Sequence, residues 1–201
     1  MSEPKKITLD RREVVARILK ERNDALLVTG LGSTSWDAAA AGDHPNNFYL
    51  WGAMGGAAMV GLGLALAQPK RRVLVITGDG EMLMGLGGLA TIAVQKTQNL
   101  SIVMIDNEAY GETGMQATHT HHGVDLAGMA VAAGFPKSIT VYKNNELEAL
   151  IPILYHQAGP VFAAIKVTAT EAPTVLPPRD GPYLKNRFRQ SLLGSKATEA
   201  C

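Results

Sequence analysis

The chain has 201 residues, a formal net charge of +1 and one cysteine, Cys201, and 46% of its residues are hydrophobic. This size and hydrophobic content predict a single folded domain over residues 1–201 and exclude extended disorder. The near-neutral net charge gives no electrostatic field that would attract nucleic acid or a membrane surface. A lone cysteine excludes disulfide frameworks, zinc ribbons and iron–sulfur ligation.

Helical and strand patterns alternate from the N-terminus onward. Residues 1–6 are polar and lack the apolar segment of a signal peptide, so a cytoplasmic protein is expected. An amphipathic pattern predicts an exposed helix over residues 10–22, with Asp10 as its N-cap. Residues 48–68 are rich in Gly and Ala, and their glycines suit a buried helix better than a membrane span.

Short β-branched runs bounded by glycine or polar residues predict buried strands of a parallel sheet. The expected strands are residues 25–29, 48–50, 73–77, 100–105, 138–142 and 161–167. The other expected helices are residues 36–41, 57–67, 81–95, 124–133, 145–156 and 183–193. Residues 106–122 are expected to form a long loop, and the tail becomes Pro-rich and less regular from about residue 173. This order predicts an α/β fold with a doubly wound, mostly parallel sheet of about six strands and helices on both faces.

The first glycine turn follows the strand at residues 25–29 and reads Gly30-Leu-Gly32-Ser33-Thr34-Ser35. Glycines followed by hydroxyl residues that cap a helix present free N–H groups to an anion, but a plain strand-to-helix turn with a Ser N-cap has the same pattern. A nicotinamide-binding Rossmann turn is disfavoured because the third glycine is absent. The next strand also ends in Leu50-Trp51, without an acidic residue for a ribose hydroxyl.

Two further strands end in oxygen-bearing side chains. Asp79 follows the strand at residues 73–77, and Asn107 follows the strand at residues 100–105. Both are therefore expected at the carboxyl edge of the sheet, where open α/β sheets bind ligands. Their oxygens suit Mg²⁺, and Gly78 and Gly80 allow the backbone to approach a phosphate. The residues thus predict a diphosphate bridged by magnesium.

Gly78-Asp79-Gly80, followed by a helix, a strand and Asp106-Asn107, resembles the GDG…NN motif of thiamine diphosphate-dependent enzymes. The resemblance covers roughly residues 25–167 and implies a thiamine diphosphate-binding fold with Mg²⁺. One departure is Asp106, which stands where the family has its first Asn. This extra carboxylate requires a neighbouring donor or cation that the sequence does not identify.

The same resemblance implies a role for each matching position. Packing alone explains Met54 as a core residue, but the run Trp51–Gly55 resembles acetolactate synthase-like enzymes. By that likeness Met54 would support the bent cofactor, and the Gly52 carbonyl would accept a hydrogen bond from the aminopyrimidine ring of the cofactor. The implied metal ligands are Asp79 and Asn107 by side chain and Ala109 by backbone carbonyl. The implied cofactor contacts are Gly32, Ser33, Thr34, Gly52, Met54, Gly78, Asp79, Gly80, Glu81, Asn107, Ala109, Tyr110, Gly111 and Glu112. Gly80 and Glu81 would contribute backbone N–H groups.

The loop from Asp106 to Thr118 looks like that of the sulfopyruvate and phosphonopyruvate decarboxylase group, and especially like a separate β subunit. The absence of internal cysteines disfavours the β subunit of 2-oxoacid:ferredoxin oxidoreductases. His119, His121 and His122 could move protons, bind an anionic substrate group or bind metal, and an exposed loop is the alternative. His119 and His121 are the favoured catalytic candidates, and Glu112 could be catalytic or fix the loop. Arg179, Arg187 and Arg189 could bind a substrate anion, although a solvated basic tail explains them as well.

In this family the cofactor lies between two domains, and the present chain resembles the one that grips the diphosphate. The resemblance implies a pyrimidine-binding partner subunit that supplies the cofactor-activating glutamate, in a heteromer such as α₂β₂ or larger. Residues 55–67 and 106–122 are the expected interface elements. The implied activity is decarboxylation of a small anionic 2-oxoacid to CO₂ and an aldehyde. The alternatives are a carboligase of the same family and a non-catalytic cofactor-binding or regulatory subunit.

Overall fold

Six parallel strands form the central sheet, in the order β2-β1-β3-β4-β8-β7. The structure is a computed structural model that describes residues 7–198, so the N-terminal residues 1–6 and Cys201 lie outside the described residues. The strands are β1 (Leu26–Thr29), β2 (Asn47–Tyr49), β3 (Val73–Gly78), β4 (Leu100–Asp106), β5 (Ala109–Tyr110), β6 (Gln116–Ala117), β7 (Lys137–Val141) and β8 (Val161–Lys166). The helices are α1 (Arg11–Lys20), α2 (Ser33–Ala40), α3 (Ala57–Ala67), α4 (Asp79–Met84), α5 (Gly88–Gln95), α6 (Leu126–Ala133), α7 (Asn144–His156) and α8 (Gly181–Leu193).

Hydrophobic residues on the two faces of the sheet form two cores. Successive side chains of a strand point to opposite faces, so Leu74 and Ile76 of β3 join one core while Val73 and Val75 join the other. The first core includes residues of α1, α2 and α7, and the second includes residues of α3, α5 and α6. The predicted α/β, doubly wound parallel sheet with helices on both faces is therefore confirmed.

The strand order creates a switch point between β1 and β3. After β1 the chain moves outward to β2, whereas after β3 it moves in the opposite direction to β4. Connections that diverge in this way leave a crevice at the carboxyl ends of the two strands. Gly30 follows β1 and Asp79 follows β3, so two of the predicted ligand-binding turns meet at this crevice.

The structure corrects four local predictions. The expected helix over residues 81–95 is divided into α4, which begins at Asp79, and α5. Gly85, just after α4, packs so closely on Gly55 that a Cβ there would lie 2.2 Å from the Gly55 carbonyl oxygen. The helix expected at residues 36–41 begins earlier, at Ser33, and its N-cap is Gly32 with no side-chain cap. The expected loop at residues 106–122 contains the β5–β6 hairpin and two 3-10 turns. The last helix begins at Gly181, where Asp180 caps it through Tyr183 N, so the irregular tail is shorter than expected.

Helix α3 lies very close to the sheet, as its small residues predict. A Cβ at Gly61 would be 2.2 Å from Val75 Cγ2, so only glycine fits this contact with β3. The helix has 11 residues. Within residues 7–198, no helix combines the length and the apolar character needed to cross a bilayer.

Candidate cofactor site at the carboxyl edge of the sheet

A cavity of about 330 Å³ opens where β1, β3 and β4 end. Twelve of the predicted site residues line it, namely Ser33, Thr34, Met54, Gly78, Asp79, Gly80, Glu81, Asn107, Ala109, Tyr110, Gly111 and Glu112. Four predicted site residues are not among its lining residues, namely Gly32, Gly52, His119 and His121. Motifs that are separated along the chain therefore converge on one cavity of a size suited to a small cofactor.

Asp79 is a buried carboxylate held by two threonine hydroxyls. Its side chain is at the start of α4, and the residue is 1% exposed. Thr118 Oγ1 donates to Asp79 Oδ2 at 2.5 Å, and Thr120 Oγ1 lies 3.1 Å from the same oxygen. Burial and the nearby negative charge of Asp106 raise the pKa of Asp79 to about 6, against the opposing effect of these hydrogen bonds. Asp79 forms no ion pair with a Lys, Arg or His among the described residues, so a bound metal ion would supply the missing positive charge.

Lys166 is the cation that the sequence left unidentified beside Asp106. Asp106 is opposite Lys166 in the register of β4 and β8, and Lys166 Nζ lies 2.8 Å from Asp106 Oδ2. The same Nζ lies 2.7 Å from Glu108 Oε1. Burial lowers the pKa of Lys166, but the hydrogen bonds to both carboxylates outweigh it and hold that pKa above its usual value. Asp106 therefore has a cationic partner, which it shares with Glu108, whereas Asp79 has none among the described residues.

The donor set around Asp79 fits magnesium chemistry. Asn107 and Ala109 line the same cavity as Asp79, and Asn107 Oδ1 accepts a hydrogen bond from Ala109 N at 3.3 Å in a tight turn. Glu108, between them, has a φ of +60°. Across the part of the chain that the structure describes, no group of three or more His, Cys, Asp or Glu residues could hold a metal ion. An ion at Asp79 would therefore depend on a few protein oxygens plus oxygens of a ligand and water, as Mg²⁺ does.

Glycines allow the loops around the cavity to approach each other closely. A Cβ at Gly80 would be 2.4 Å from the Tyr110 ring, so the predicted phosphate turn packs against the predicted metal loop. Gly32 has a φ of +73°, and a Cβ there would be 2.3 Å from Glu112 Oε1. Gly32 thus makes room for Glu112 at the cavity, although it does not line the cavity itself.

The Glu81 side chain has a structural role that the sequence did not indicate. Its carboxylate is buried and accepts from Thr77 Oγ1 at 2.8 Å, and a Cβ at Gly30 would collide with it. Burial raises the pKa of Glu81, although the backbone N–H groups of Gly55, Gly78 and Ala57 oppose this shift. The Glu81 carboxylate therefore lies between the turns after β1, β2 and β3. Met54 immediately precedes Gly55 and lines the cavity with 39% of its surface exposed.

The three histidines are in a 3-10 turn, His119–His122, whose buried residue is Thr120. All three are exposed, and His121 Nδ1 lies 3.6 Å from Glu108 Oε2. The alternation of residues in the turn directs the threonine side chains toward the two aspartates and the histidines toward the surface. A catalytic role for His119 or His121 stays a prediction.

Sequence reasoning missed several residues at or around this site, and five of them bear on its charge and hydrogen bonds, namely Arg11, Asp37, Thr118, Thr120 and Lys166. Arg11 and Asp37 line the cavity itself, and the other three hold the aspartates. The sequence carried no local signal for these contacts, because each joins residues from separate elements. The tail arginine Arg187 contacts Asp43 at 2.5 Å and does not line the cavity.

Comparisons with known proteins agree with this geometry. A family model described as "Thiamine pyrophosphate enzyme, C-terminal TPP binding domain" matches residues 30–165. The chain is 37% identical over 191 residues to the sulfopyruvate decarboxylase subunit beta of Methanothermobacter thermautotrophicus, covering 93% of this chain and 97% of that protein. It is 41% identical over 158 residues to the phosphonopyruvate decarboxylase of Streptomyces viridochromogenes, covering 78% of this chain and 39% of that protein. The structure of benzoylformate decarboxylase from Polynucleobacter necessarius has the same fold, with a TM-score of 0.69 and 22% identity over 86% of this chain and 36% of that one.

Proposed function

The chain belongs to the thiamine pyrophosphate-dependent enzymes, and from this premise we propose that it is the diphosphate- and Mg²⁺-binding subunit of a heteromeric 2-oxoacid decarboxylase. The observation that carries the proposal is the meeting of Asp79, Asn107 and Ala109 in one cavity at the switch point of the sheet. The near full-length similarity to a sulfopyruvate decarboxylase subunit beta supports the same reading.

Different residues of the cavity would hold different parts of the cofactor. Asp79, Asn107 and the Ala109 carbonyl would hold Mg²⁺ against the diphosphate, and the oxygen donors that meet in this cavity support a cation there. Gly80 has no side chain, so the Tyr110 ring packs directly against its backbone, and both residues would line the diphosphate end of the cofactor. Met54 would provide an apolar wall for the rings of the cofactor. When bound, thiamine diphosphate supplies an electron sink that stabilises the carbanion left by departing CO₂.

The residues beneath the cavity orient these ligands. Thr118 and Thr120 hold Asp79 Oδ2, and Lys166 pairs with Asp106, so that of these two neighbouring aspartates the one without a cationic partner among the described residues is the one at the metal position. The Glu81 carboxylate connects three turns and keeps the Met54 segment next to the start of α4. The chain's task is therefore to position the cofactor and to exclude water from its diphosphate end.

A second subunit belongs to the proposal. The relatives from Methanothermobacter and Methanocaldococcus are named beta subunits, which implies a partner in those proteins. For this chain we propose a pyrimidine-binding partner that supplies the cofactor-activating glutamate, in an α₂β₂ or larger heteromer. Exposed apolar residues near the cavity support an interface there, namely Met54, Met59, Val60 and Met84. The proposed substrate is a small anionic 2-oxoacid of the sulfopyruvate or phosphonopyruvate type.

The test is an assay of CO₂ release. The chain is purified together with its partner subunit and given thiamine diphosphate, Mg²⁺ and a panel of 2-oxoacids. CO₂ and an aldehyde are expected from the wild-type complex, and no Mg²⁺-dependent release is expected from an Asp79→Asn complex. A product that joins two carbonyl compounds would identify a carboligase. A wild-type complex that binds the cofactor without turnover on any substrate would show a non-catalytic subunit.

A further inference from the structure

Arg11 is the only Lys or Arg among the described residues that line the cofactor cavity. The other charged residues on its wall are four carboxylates, namely Asp37, Asp79, Glu81 and Glu112. The proposed cofactor and the proposed substrate are both anions, so a wall that carries four carboxylates needs cations in order to bind them. Mg²⁺ would supply one, and Arg11 is the one that the chain supplies itself.

The contacts of Arg11 leave part of its guanidinium available. Its Nη1 donates to Asp37 Oδ2 at 2.6 Å and to the Ser33 carbonyl at 3.3 Å. Its Nε and Nη2 make no hydrogen bond to any described residue, although Arg11 is only 5% exposed. Neither atom is among the described buried atoms that lack a hydrogen-bond partner, so both reach solvent where Arg11 lines the cavity and are free to donate to a bound anion.

Arg12 contacts the same Asp37 carboxylate from outside the cavity. Its Nε donates to Asp37 Oδ1 at 3.0 Å, and its Nη2 donates to the Pro173 carbonyl at 2.7 Å. One buried carboxylate thus orients two guanidinium groups, so the cluster retains one net positive charge. Arg12 is not among the lining residues of the cavity, which makes it a matched control for Arg11.

Arg11 also lines a smaller cavity of about 190 Å³ that adjoins the first. Ser33, Asn107 and Gly111 line both cavities, and the exposed Glu171 lines the smaller one. The guanidinium is therefore at the junction of the cofactor cavity with a recess large enough for one sulfonate or phosphonate group.

On the basis of the proposed function, we propose that Arg11 is an oxyanion-binding residue of the active site and that Asp37 positions it. The oxyanion is either the terminal phosphate of the cofactor or the second acidic group of a substrate such as sulfopyruvate. Both present the same tetrahedral, anionic oxygens to the donors of the guanidinium.

The experiment compares Arg11→Gln, Arg11→Lys and Arg12→Gln in the full complex with the partner subunit. Calorimetry measures the dissociation constants of thiamine diphosphate and thiamine monophosphate with Mg²⁺. Steady-state assays measure KM for sulfopyruvate and for pyruvate, which has no second acidic group. Arg11→Lys retains a charge against Asp37, so it keeps the test valid if Arg11→Gln does not fold.

If Arg11 binds the terminal phosphate, Arg11→Gln weakens thiamine diphosphate roughly 10- to 100-fold and leaves the monophosphate unchanged. If it binds the substrate, the same variant raises KM for sulfopyruvate by a similar factor and leaves pyruvate and the cofactor unchanged. Arg11→Lys falls between the wild type and Arg11→Gln, and Arg12→Gln has a much smaller effect.

Either of these patterns supports the proposal and identifies the source of the oxyanion. Dissociation constants and KM values that are unchanged in Arg11→Gln overturn the proposal, and so do equal losses in the Arg11 and Arg12 variants. In either case cofactor binding and turnover by the wild-type complex still support the proposed function. A wild-type complex that binds no thiamine diphosphate refutes the proposed function and the role of Arg11 with it.

Discussion

Replacing Asp79 with Asn is expected to stabilise the metal-free protein, even though it removes the central ligand of the proposed metal site. In the folded chain Asp79 is 1% exposed and close to Asp106, and together burial and this charge raise its pKa from 3.8 to about 6. Asn has the same shape, bears no charge, and its carbonyl oxygen can accept from Thr118 and Thr120. The substitution therefore removes an unfavourable charge while keeping its hydrogen-bond partners.

The sign of the pH dependence follows from the number of protons that Asp79 binds in the folded and in the unfolded state. Because the folded pKa of Asp79 is above the unfolded one, the folded state binds more protons between pH 3.8 and about 6, and stability falls as pH rises through that window. Above pH 6 the charged form destabilises the fold by about 3 kcal/mol, and at pH 5 by roughly half of that. Asp79→Asn is expected to recover about 1–3 kcal/mol at pH 7.5 and less at pH 5.

Urea denaturation of the full chain in the presence of a chelator measures this difference. Asp125→Asn is the matched control, because Asp125 caps α6 through Gly128 N at 2.9 Å and Asn is an equivalent cap. Saturating Mg²⁺ and thiamine diphosphate should then reverse the order, since ligands stabilise only the form that binds them. A variant that is less stable than wild type at pH 7.5, or a gain independent of pH, would refute the electrostatic argument.

Two further predictions concern packing and charge. Gly61→Ala should destabilise the fold by about 1–3 kcal/mol because its Cβ would be 2.2 Å from Val75 Cγ2, whereas Gly63→Ala in the same helix meets open space and should stabilise it by about 0.5–1 kcal/mol. Equal effects of the two substitutions in thermal denaturation would contradict this close contact. Lys166→Met should cost about 3 kcal/mol because Asp106 is left buried and unpaired, and adding Asp106→Asn should recover much of the loss in chemical denaturation. A double variant no more stable than the single one would show that the ion pair is not the cause.

The local pattern was sufficient to predict most of the elements and to place Asp79 and Asn107 at one cavity. Strands of five to seven buried residues ending in Gly or Asp are legible in a sequence, because burial on both faces requires a continuous apolar run. The carboxyl ends of parallel strands share one edge, so Asp79 and Asn107 could be placed together before any coordinates. The break between α4 and α5 could not be recognised in the sequence, because the close approach of Gly55 to Gly85 at this break is a tertiary contact.

What only the tertiary structure decided is which side chains meet across long sequence separations. Lys166 is beside Asp106 because β8 pairs with β4 in one register, and the sequence carries no local sign of that register. Arg11 faces the cavity because α1 packs on α2, which brings it to Asp37. The sequence by itself predicted a diphosphate- and metal-binding edge. The fold decided how the charges there are balanced, because charge balance depends on distances through space that residue order does not specify.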